Sequence, residues 1–153
     1  MRTLSELNLN EGGRPVTRTP PSDRDFAAFE AEYRITIPPP LKTLLRFSNG
    51  GHPELNSFAT SGSSFAINEL YHLTVSEKGP GSLWYSTKNW GPVLGPNTLA
   101  FADDAGGNQF FLDLNDTPAS VWICMHDQDM RRIKLASSLE AFVDDLSTDD
   151  DMI

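Results

Sequence analysis

The stretch Leu99–Leu114, with the sequence LAFADDAGGNQFFLDL, decides the fold of this chain. It consists of two apolar runs joined by an acidic, glycine-rich turn. Glycine adopts backbone angles that other residues avoid, and the second run alternates, with Phe110, Leu112 and Leu114 on one face. The stretch therefore predicts a β-hairpin. No nucleophile with a neighbouring base and no cluster of metal ligands accompanies it, so the pattern favours a protein that works by binding.

Further regular elements are predicted on both sides of this hairpin. Residues 120–126 are almost continuously apolar, which predicts a central strand buried on both faces. Ser137 and Glu140 form a capping box that predicts a final helix. Two earlier helices are indicated, one capped by Ser22 and one that has Pro40 in its first turn. The apolar stripe of the final helix consists of Leu139, Phe142, Val143 and Leu146.

These elements predict an α+β fold: a single domain with an antiparallel-rich central sheet and helices packed against it. Residues 1–21 are polar and rich in Gly, Pro and Arg, so we expect a loosely ordered N-terminal arm. Residues 22–147 form the domain, and residues 148–153 form an acidic tail. The arm residues expected to touch the body are Leu4, Leu7 and Leu9.

Residues 52–97 show no sustained hydrophobic period. A short helical turn from Asn68 is the main element expected there. Trp84, Tyr85 and Trp90 lie between Gly/Pro-rich breaks, and such aromatic residues either cover the core or line a face that binds a partner. Core cover is the favoured interpretation.

The net charge of −9 is unevenly distributed along the chain. Residues 1–102 carry nine acidic and nine basic side chains, whereas residues 103–153 carry twelve acidic and three basic ones. The negative electrostatic field of residues 103–153 repels nucleic acids and anionic membranes, and it speeds the encounter with a basic partner. The alternative is a solvated face that only aids solubility.

The single cysteine, Cys124, lies in an apolar run and is interpreted as a small buried hydrophobic residue. The first residues lack the apolar core of a secretory signal, and no window approaches the ~18 apolar residues of a membrane span. We therefore expect a cytoplasmic protein.

Four motifs contain residues typical of catalytic or metal sites, and each is better explained by structure. His126-Asp127 resembles part of a metal-binding signature, but further ligands at suitable spacing are missing. Asp103–Asn108 lacks the twelve-residue calcium-loop pattern. Ser61–Ser64 lacks the context of a nucleophile elbow, and Asn49–Gly51 is typical of a helix cap. The sequence therefore predicts no catalytic residue, metal site or cofactor.

The order of several motifs resembles one known family. A first helix is followed by Ile37–Leu45, with its triple proline, and by Ser48–Gly51 (SNGG). Phe101–Leu114, Val121-Trp122 and the helix at Leu139–Leu146 come next. This order resembles the SUKH superfamily, whose name reflects the Smi/Knr cell-wall regulators of yeast. The family usually has Leu-Pro before the second helix, where this chain has three prolines.

The resemblance covers roughly residues 22–147 and implies an α+β fold. Bacterial members of the superfamily are immunity proteins that bind a toxin domain delivered by competing or sister cells, often a nuclease. The eukaryotic regulators act as interaction hubs. The resemblance implies no catalytic residues, because members of both kinds act by binding.

The leading hypothesis is a bacterial immunity protein that neutralises a cognate toxin, expected to be basic, by covering its active site or substrate-binding surface. The alternative is a regulatory or scaffold protein of the Smi/Knr type that binds an endogenous protein. A hydrolase acting through His126 and Asp127 is the third and least favoured hypothesis. The residues expected to bind the partner are Asp103, Asp104, Asp127, Asp129, Asp144 and Asp145, with Trp84, Tyr85 or Trp90 as aromatic anchors.

Overall fold

The computed structural model describes residues 1–148, so the expected acidic tail lies outside the described residues except for Thr148. A short 3-10 helix (Leu4–Leu7) opens the chain. The α-helices are α1 (Asp23–Tyr33), α2 (Pro39–Phe47), α3 (Leu83–Leu94) and α4 (Leu139–Asp144). The strands are β1 (Asn10–Glu11), β2 (Arg14–Pro15), β3 (Ser57–Thr60), β4 (Ser63–Ala66), β5 (Glu69–Leu70), β6 (Thr98–Asp103), β7 (Gln109–Asp113), β8 (Ser120–Met125) and β9 (Arg131–Ala136).

The centre of the fold is a five-stranded sheet in the order β5-β6-β7-β8-β9, with every neighbouring pair antiparallel. The predicted hairpin is formed by β6 and β7, which pair from Thr98 opposite Asp113 to Asp103 opposite Gln109. β8 is an interior strand, as its apolar run predicts. The α+β class is therefore confirmed, and β9, whose charged sequence predicts no strand, forms the edge.

Both faces of the sheet are covered, which explains why β6 and β7 are almost wholly buried. On one face, the ring of Phe142 from α4 packs against Phe110, with ring centroids 5.9 Å apart. On the other face, α3 lies against β6, and the Ser86 hydroxyl donates a hydrogen bond to the Ala100 carbonyl (2.9 Å). The core therefore lies in two layers, one on each side of the sheet.

The first helix begins as predicted. The Ser22 hydroxyl accepts a hydrogen bond from the Asp25 amide (3.2 Å), and the Asp25 carboxylate accepts one from the Ser22 amide (2.8 Å). This capping box satisfies two N–H groups that have no partner within the helix. α2 has Pro39 and Pro40 in its first turn, where the missing N–H costs nothing.

Asn49 is not the helix cap that the sequence predicts. α2 ends earlier, at Phe47, and the Asn49 side chain is buried and links three chain segments. Its Nδ2 donates to the carbonyls of Thr19 and Leu73 (2.9 Å each), and its Oδ1 accepts from the Leu73 amide (2.8 Å). The following residue, Gly50, has φ +87°, a conformation that glycine adopts without strain.

The final helix is displaced by one residue from the prediction. Ser138, not Ser137, is the N-cap, and its hydroxyl accepts from the Ala141 amide (3.0 Å). The whole predicted apolar stripe is buried, which confirms the face that was assigned to the core. That stripe is Leu139, Phe142, Val143 and Leu146.

Residues 52–97 contain more regular structure than their sequence indicates. They form the β3–β4 hairpin, β5 and α3. The prediction of a helical turn from Asn68 is wrong, because strand β5 begins at Glu69. α3 is hidden in the sequence by Gly91 and Pro92. Pro92 lies in the last turn of the helix at an exposed position, and it has no N–H to donate to the carbonyl of Lys88.

The N-terminal segment packs against the body more extensively than a loosely ordered arm would. Leu7 is only 1% exposed, and Leu4 and Leu9 pack against the core, so the expected contacts are confirmed. Asn10 exchanges backbone hydrogen bonds with His52 (3.0 and 2.7 Å). These contacts attach the segment to the domain along its length.

Candidate partner-binding surface

Two acidic turns meet at one end of the sheet. The β6–β7 and β8–β9 turns lie on the same side because consecutive antiparallel strands reverse direction. His126 joins them: its Nε2 donates to the Gly106 carbonyl (2.7 Å), and its backbone N–H donates to Asn108 Oδ1 (3.0 Å). We name residues 103–108 and 126–131 the acidic end. It contains four of the six carboxylates expected to bind a partner, Asp103, Asp104, Asp127 and Asp129.

Asp104 organises the β6–β7 turn. Its Oδ1 accepts hydrogen bonds from the amides of Gly106 (2.9 Å) and Asn108 (2.8 Å), and its Oδ2 accepts from Asn108 Nδ2 (2.8 Å). These bonds account for the acidic turn by local geometry, as the hairpin interpretation predicts. The charge of Asp104 nevertheless stays at the surface, since the side chain is only half-buried.

Asp103 lies directly opposite Glu69 in the β5–β6 pairing. Its Oδ1 accepts from the Glu69 amide (3.1 Å) and from Asn68 Nδ2 (3.3 Å). Burial raises the pKa of Asp103, and burial together with the charge of Asp103 raises the pKa of Glu69. His52 Nε2 lies 3.7 Å from Glu69 Oε2. Two carboxylates are thus held side by side in a place that disfavours their charged forms.

Asp127 and Asp129 lie in the exposed β8–β9 turn. Asp129 and Met130 both have positive φ, +56° and +58°, which gives this turn its tight reversal. Arg131 follows at the start of β9 and is the one cation of the acidic end. The acidic end therefore keeps a net negative charge.

The other two expected carboxylates lie elsewhere, at the end of α4. The backbone N–H of Arg2 donates to Asp144 Oδ1, and the Arg2 guanidinium donates to the carbonyls of Val143 (3.1 Å) and Leu146 (2.7 Å). A cation at a helix C-terminus is favourable because the last carbonyls have no partner within the helix. Asp144 thus belongs to the junction between the N-terminal segment and α4, and Asp145 is the C-cap residue of that helix.

The aromatic residues proposed as anchors divide between core and surface. Trp84 is 6% exposed and packs edge-on against Phe29, with centroids 5.3 Å apart, and its Nε1 donates to the Thr74 carbonyl (2.8 Å). It is therefore part of the core and not available as an anchor. Tyr85 is 43% exposed and Trp90 is half-buried, and no described contact joins either to the acidic end.

A cleft of about 430 Å³ lies beside the acidic end. Phe65 of β4 and Met125 of β8 line it, together with Asp104, and both of these apolar residues are half-buried with one side packed on the core. The sequence pattern missed this pair because they lie far apart in the chain, in strands that no local period connects. We name it the β4 cleft; its lining is Asn56, Ser64, Phe65, Ala66, Ile67, Asn68, Asp104, Ala105, Gly106 and Met125.

The motifs that contain residues typical of catalytic or metal sites have structural explanations. His126 hydrogen-bonds across the two turns, and Ser61–Ser64 lie in the β3–β4 hairpin. Within residues 1–148, no group of three or more His, Cys, Asp or Glu side chains is placed to hold a metal ion. In the same part of the chain, none of the helices has the length and apolarity needed to cross a membrane.

The fold defines an α+β domain built on an antiparallel meander, with helices on both faces. The model of the SMI1 / KNR4 family (SUKH-1) matches residues 20–145, and the chain belongs to this family. The resemblance stated from the sequence is therefore confirmed. Comparison with curated proteins and with solved structures gave no match.

Proposed function

We propose that this chain is a bacterial immunity protein that binds a basic toxin domain, a nuclease, and blocks it by occupying its nucleic-acid-binding surface. Membership of the SMI1 / KNR4 family (SUKH-1) supports a protein with protein partners, in either an immunity or a regulatory role. The acidic end carries the proposal, because it gathers four aspartates from two turns that lie apart in sequence.

Charge complementarity supports this choice of partner. A nuclease holds phosphates with lysine and arginine, so its substrate-binding surface is basic. An acidic surface attracts such a partner during diffusion and raises the association rate, most strongly at low salt. The charge imbalance of this chain lies in residues 103–153, which include the acidic end.

The pair of Asp103 and Glu69 gives a second line of support. Like charges directly opposite each other in an antiparallel pair destabilise the sheet, and burial adds to that cost. Departures from such local rules are commonly found at functional sites. A surface shaped for stability alone would place a neutral side chain at one of these positions.

This function places the protein in the cytoplasm, where a delivered nuclease reaches its substrate. The mechanism is occupation of the toxin: no bond in a substrate is made or broken, and no cofactor is needed. Buried contacts at the centre of the interface would slow dissociation, while aspartates at its rim would mainly alter the association rate.

Co-expression with a toxin domain encoded next to this gene tests the proposal. We expect the wild-type chain to restore growth and to form a stable complex. Asp127→Lys, a charge reversal in an exposed turn, should weaken the complex by about tenfold or more. The matched control is Glu32→Lys on the exposed side of α1, which should bind like wild type.

Continued killing with no complex would contradict the immunity function. A stable complex with an endogenous protein, in a cell that lacks such a toxin gene, would instead support the regulatory alternative. Equal binding by Asp127→Lys and wild type would exclude the acidic end as the contact surface.

A further inference from the structure

The β4 cleft combines an apolar lining with charge of one sign. Phe65 and Met125 provide an aromatic ring and a thioether, while the single charged residue of the lining is Asp104. No lysine, arginine or histidine lines this cleft. It therefore suits a ligand group with an apolar stem and a cationic head.

Asp104 retains the capacity to accept a hydrogen bond from such a head group. A carboxylate offers about four acceptor positions, and the turn uses three of them at Asp104. Asp103 adds negative charge nearby, because its Oδ1 accepts a hydrogen bond from the side-chain amide of the cleft residue Asn68 (3.3 Å). The charge around the cleft thus favours a cation over a neutral group.

A second cleft, at the opposite end of the sheet, shows a different pattern. It has a volume of about 490 Å³ and is walled by the prolines that begin α2. Arg34 lies in its lining together with Asp116 and Glu140, so charges of both signs are present. Charge alone selects no ligand there, in contrast to the β4 cleft.

We propose that the β4 cleft receives an arginine side chain of the basic partner, and this inference rests on the proposed function. The three-carbon stem lies along Met125, and the guanidinium reaches Asp104 and the face of Phe65. Arginine fits better than lysine because its planar head both stacks on an aromatic ring and forms directed hydrogen bonds to a carboxylate. Arginine is also enriched among the residues that dominate binding energy in interfaces.

Titration with a blocked arginine, N-acetyl-arginine-N′-methylamide, tests the cleft without any toxin. We expect saturable amide chemical-shift changes in NMR spectra, centred on residues 64–68 and 104–106. The blocked citrulline of the same shape is the ligand control, because it lacks the charge, and it should bind at least about tenfold more weakly.

Two substitutions that fill the cleft complete the test. Ala66→Trp and Ser64→Trp each place a large ring at exposed positions of the lining, and both should abolish the arginine-induced shifts. Ala28→Trp on exposed α1 is the matched control and should leave them unchanged. Shifts that map elsewhere, equal binding of citrulline, or no saturable binding would overturn the proposal.

The same variants separate this inference from the proposed function. If Ala66→Trp binds the toxin as tightly as wild type while Asp127→Lys does not, the cleft assignment is wrong and the immunity function stands. If wild type binds no toxin, the immunity function is wrong, and the arginine titration still decides what the cleft binds. We expect Ala66→Trp to weaken toxin binding by about tenfold or more.

Discussion

At the scale of single residues, Asn49 shows how one buried side chain fixes three segments of the chain. Two of its three hydrogen bonds satisfy the buried backbone amide and carbonyl of Leu73, and the third reaches the carbonyl of the exposed residue Thr19. The sequence alone predicts a local cap, because Asn-Gly is a common helix ending. The long-range role could not be predicted, since both partners come from segments without a recognisable period.

Asn49→Ala should therefore be among the more destabilising single changes. The substitution removes this partner from the buried amide and carbonyl of Leu73, and each such loss costs about 1–3 kcal/mol. Urea unfolding measures the effect, with Asn89→Ala on the exposed side of α3 as the control. Equal midpoints for the two variants would show that the Asn49 bonds add nothing to stability.

Replacing Asp103 should stabilise the fold, in contrast to Asn49→Ala. Its pKa is raised by burial, so the folded protein keeps this proton to higher pH than the unfolded chain does. Stability therefore falls as the pH rises through the interval between the unfolded and folded pKa values. Asp103→Asn removes the charge and keeps the acceptor oxygen, and it should raise the urea midpoint at neutral pH.

The gain should shrink as the pH falls and vanish below about pH 3, where the carboxyl group of the wild type is protonated in both the unfolded and the folded state. Asp127→Asn in the exposed turn is the control and should change stability by less than about 0.5 kcal/mol. A loss of stability in Asp103→Asn at neutral pH would contradict the electrostatic account of the Asp103–Glu69 pair.

At the scale of elements, the N-terminal segment behaves as part of the domain. Leu7 is buried although its surroundings in the sequence are polar, so local composition understates its importance. Leu7→Ala should destabilise the fold by about 2–5 kcal/mol, because it removes buried methyl groups and leaves a cavity. Leu4→Ala, at a half-buried position, should cost less in the same urea experiment. A larger loss from Leu4 than from Leu7 would contradict this packing.

The elements that could be predicted are those whose own sequence carries a period or a cap. The β6–β7 hairpin, β8, α1 and the apolar stripe of α4 belong to this group. α3 could not be predicted, because Gly91 and Pro92 normally end a helix and the tertiary contacts of its buried residues override them. β9 was also missed, since three cations dominate this edge strand and only Ile133 and Leu135 alternate with them, a run too short to stand out as a period.

At the scale of the whole molecule, the candidate surface arises from the order of strands. The two acidic turns can be recognised in the sequence. They lie at the same end of the sheet only because β6, β7, β8 and β9 are consecutive neighbours in it. The same dependence explains why Asp144 and Asp145 separate from the others: α4 ends at a junction with the N-terminal segment. The β4 cleft could not be predicted either, because its lining residues come from strands that lie apart in sequence and meet only in the folded chain.

The acidic end predicts a strong effect of salt on partner binding. Screening shortens the reach of surface charges to about 8 Å at physiological ionic strength. The association rate constant with the toxin domain should therefore fall steeply as salt is added, while the dissociation rate changes little. Stopped-flow fluorescence can measure both, and Asp127→Lys should flatten the salt dependence. An association rate independent of salt would argue against charge-guided encounter.

Hydrogen–deuterium exchange of the complex with the toxin domain tests the central claim most directly. If the protein acts by covering a basic partner with its acidic end, amides of residues 103–108 and 126–131 should exchange more slowly in the complex than in the free protein. Amides of the second cleft that can exchange, such as those of Thr117, Ala119 and Leu139, should be unchanged. Protection confined to that opposite cleft or to α3, with both acidic turns exchanging as in the free protein, would contradict the account.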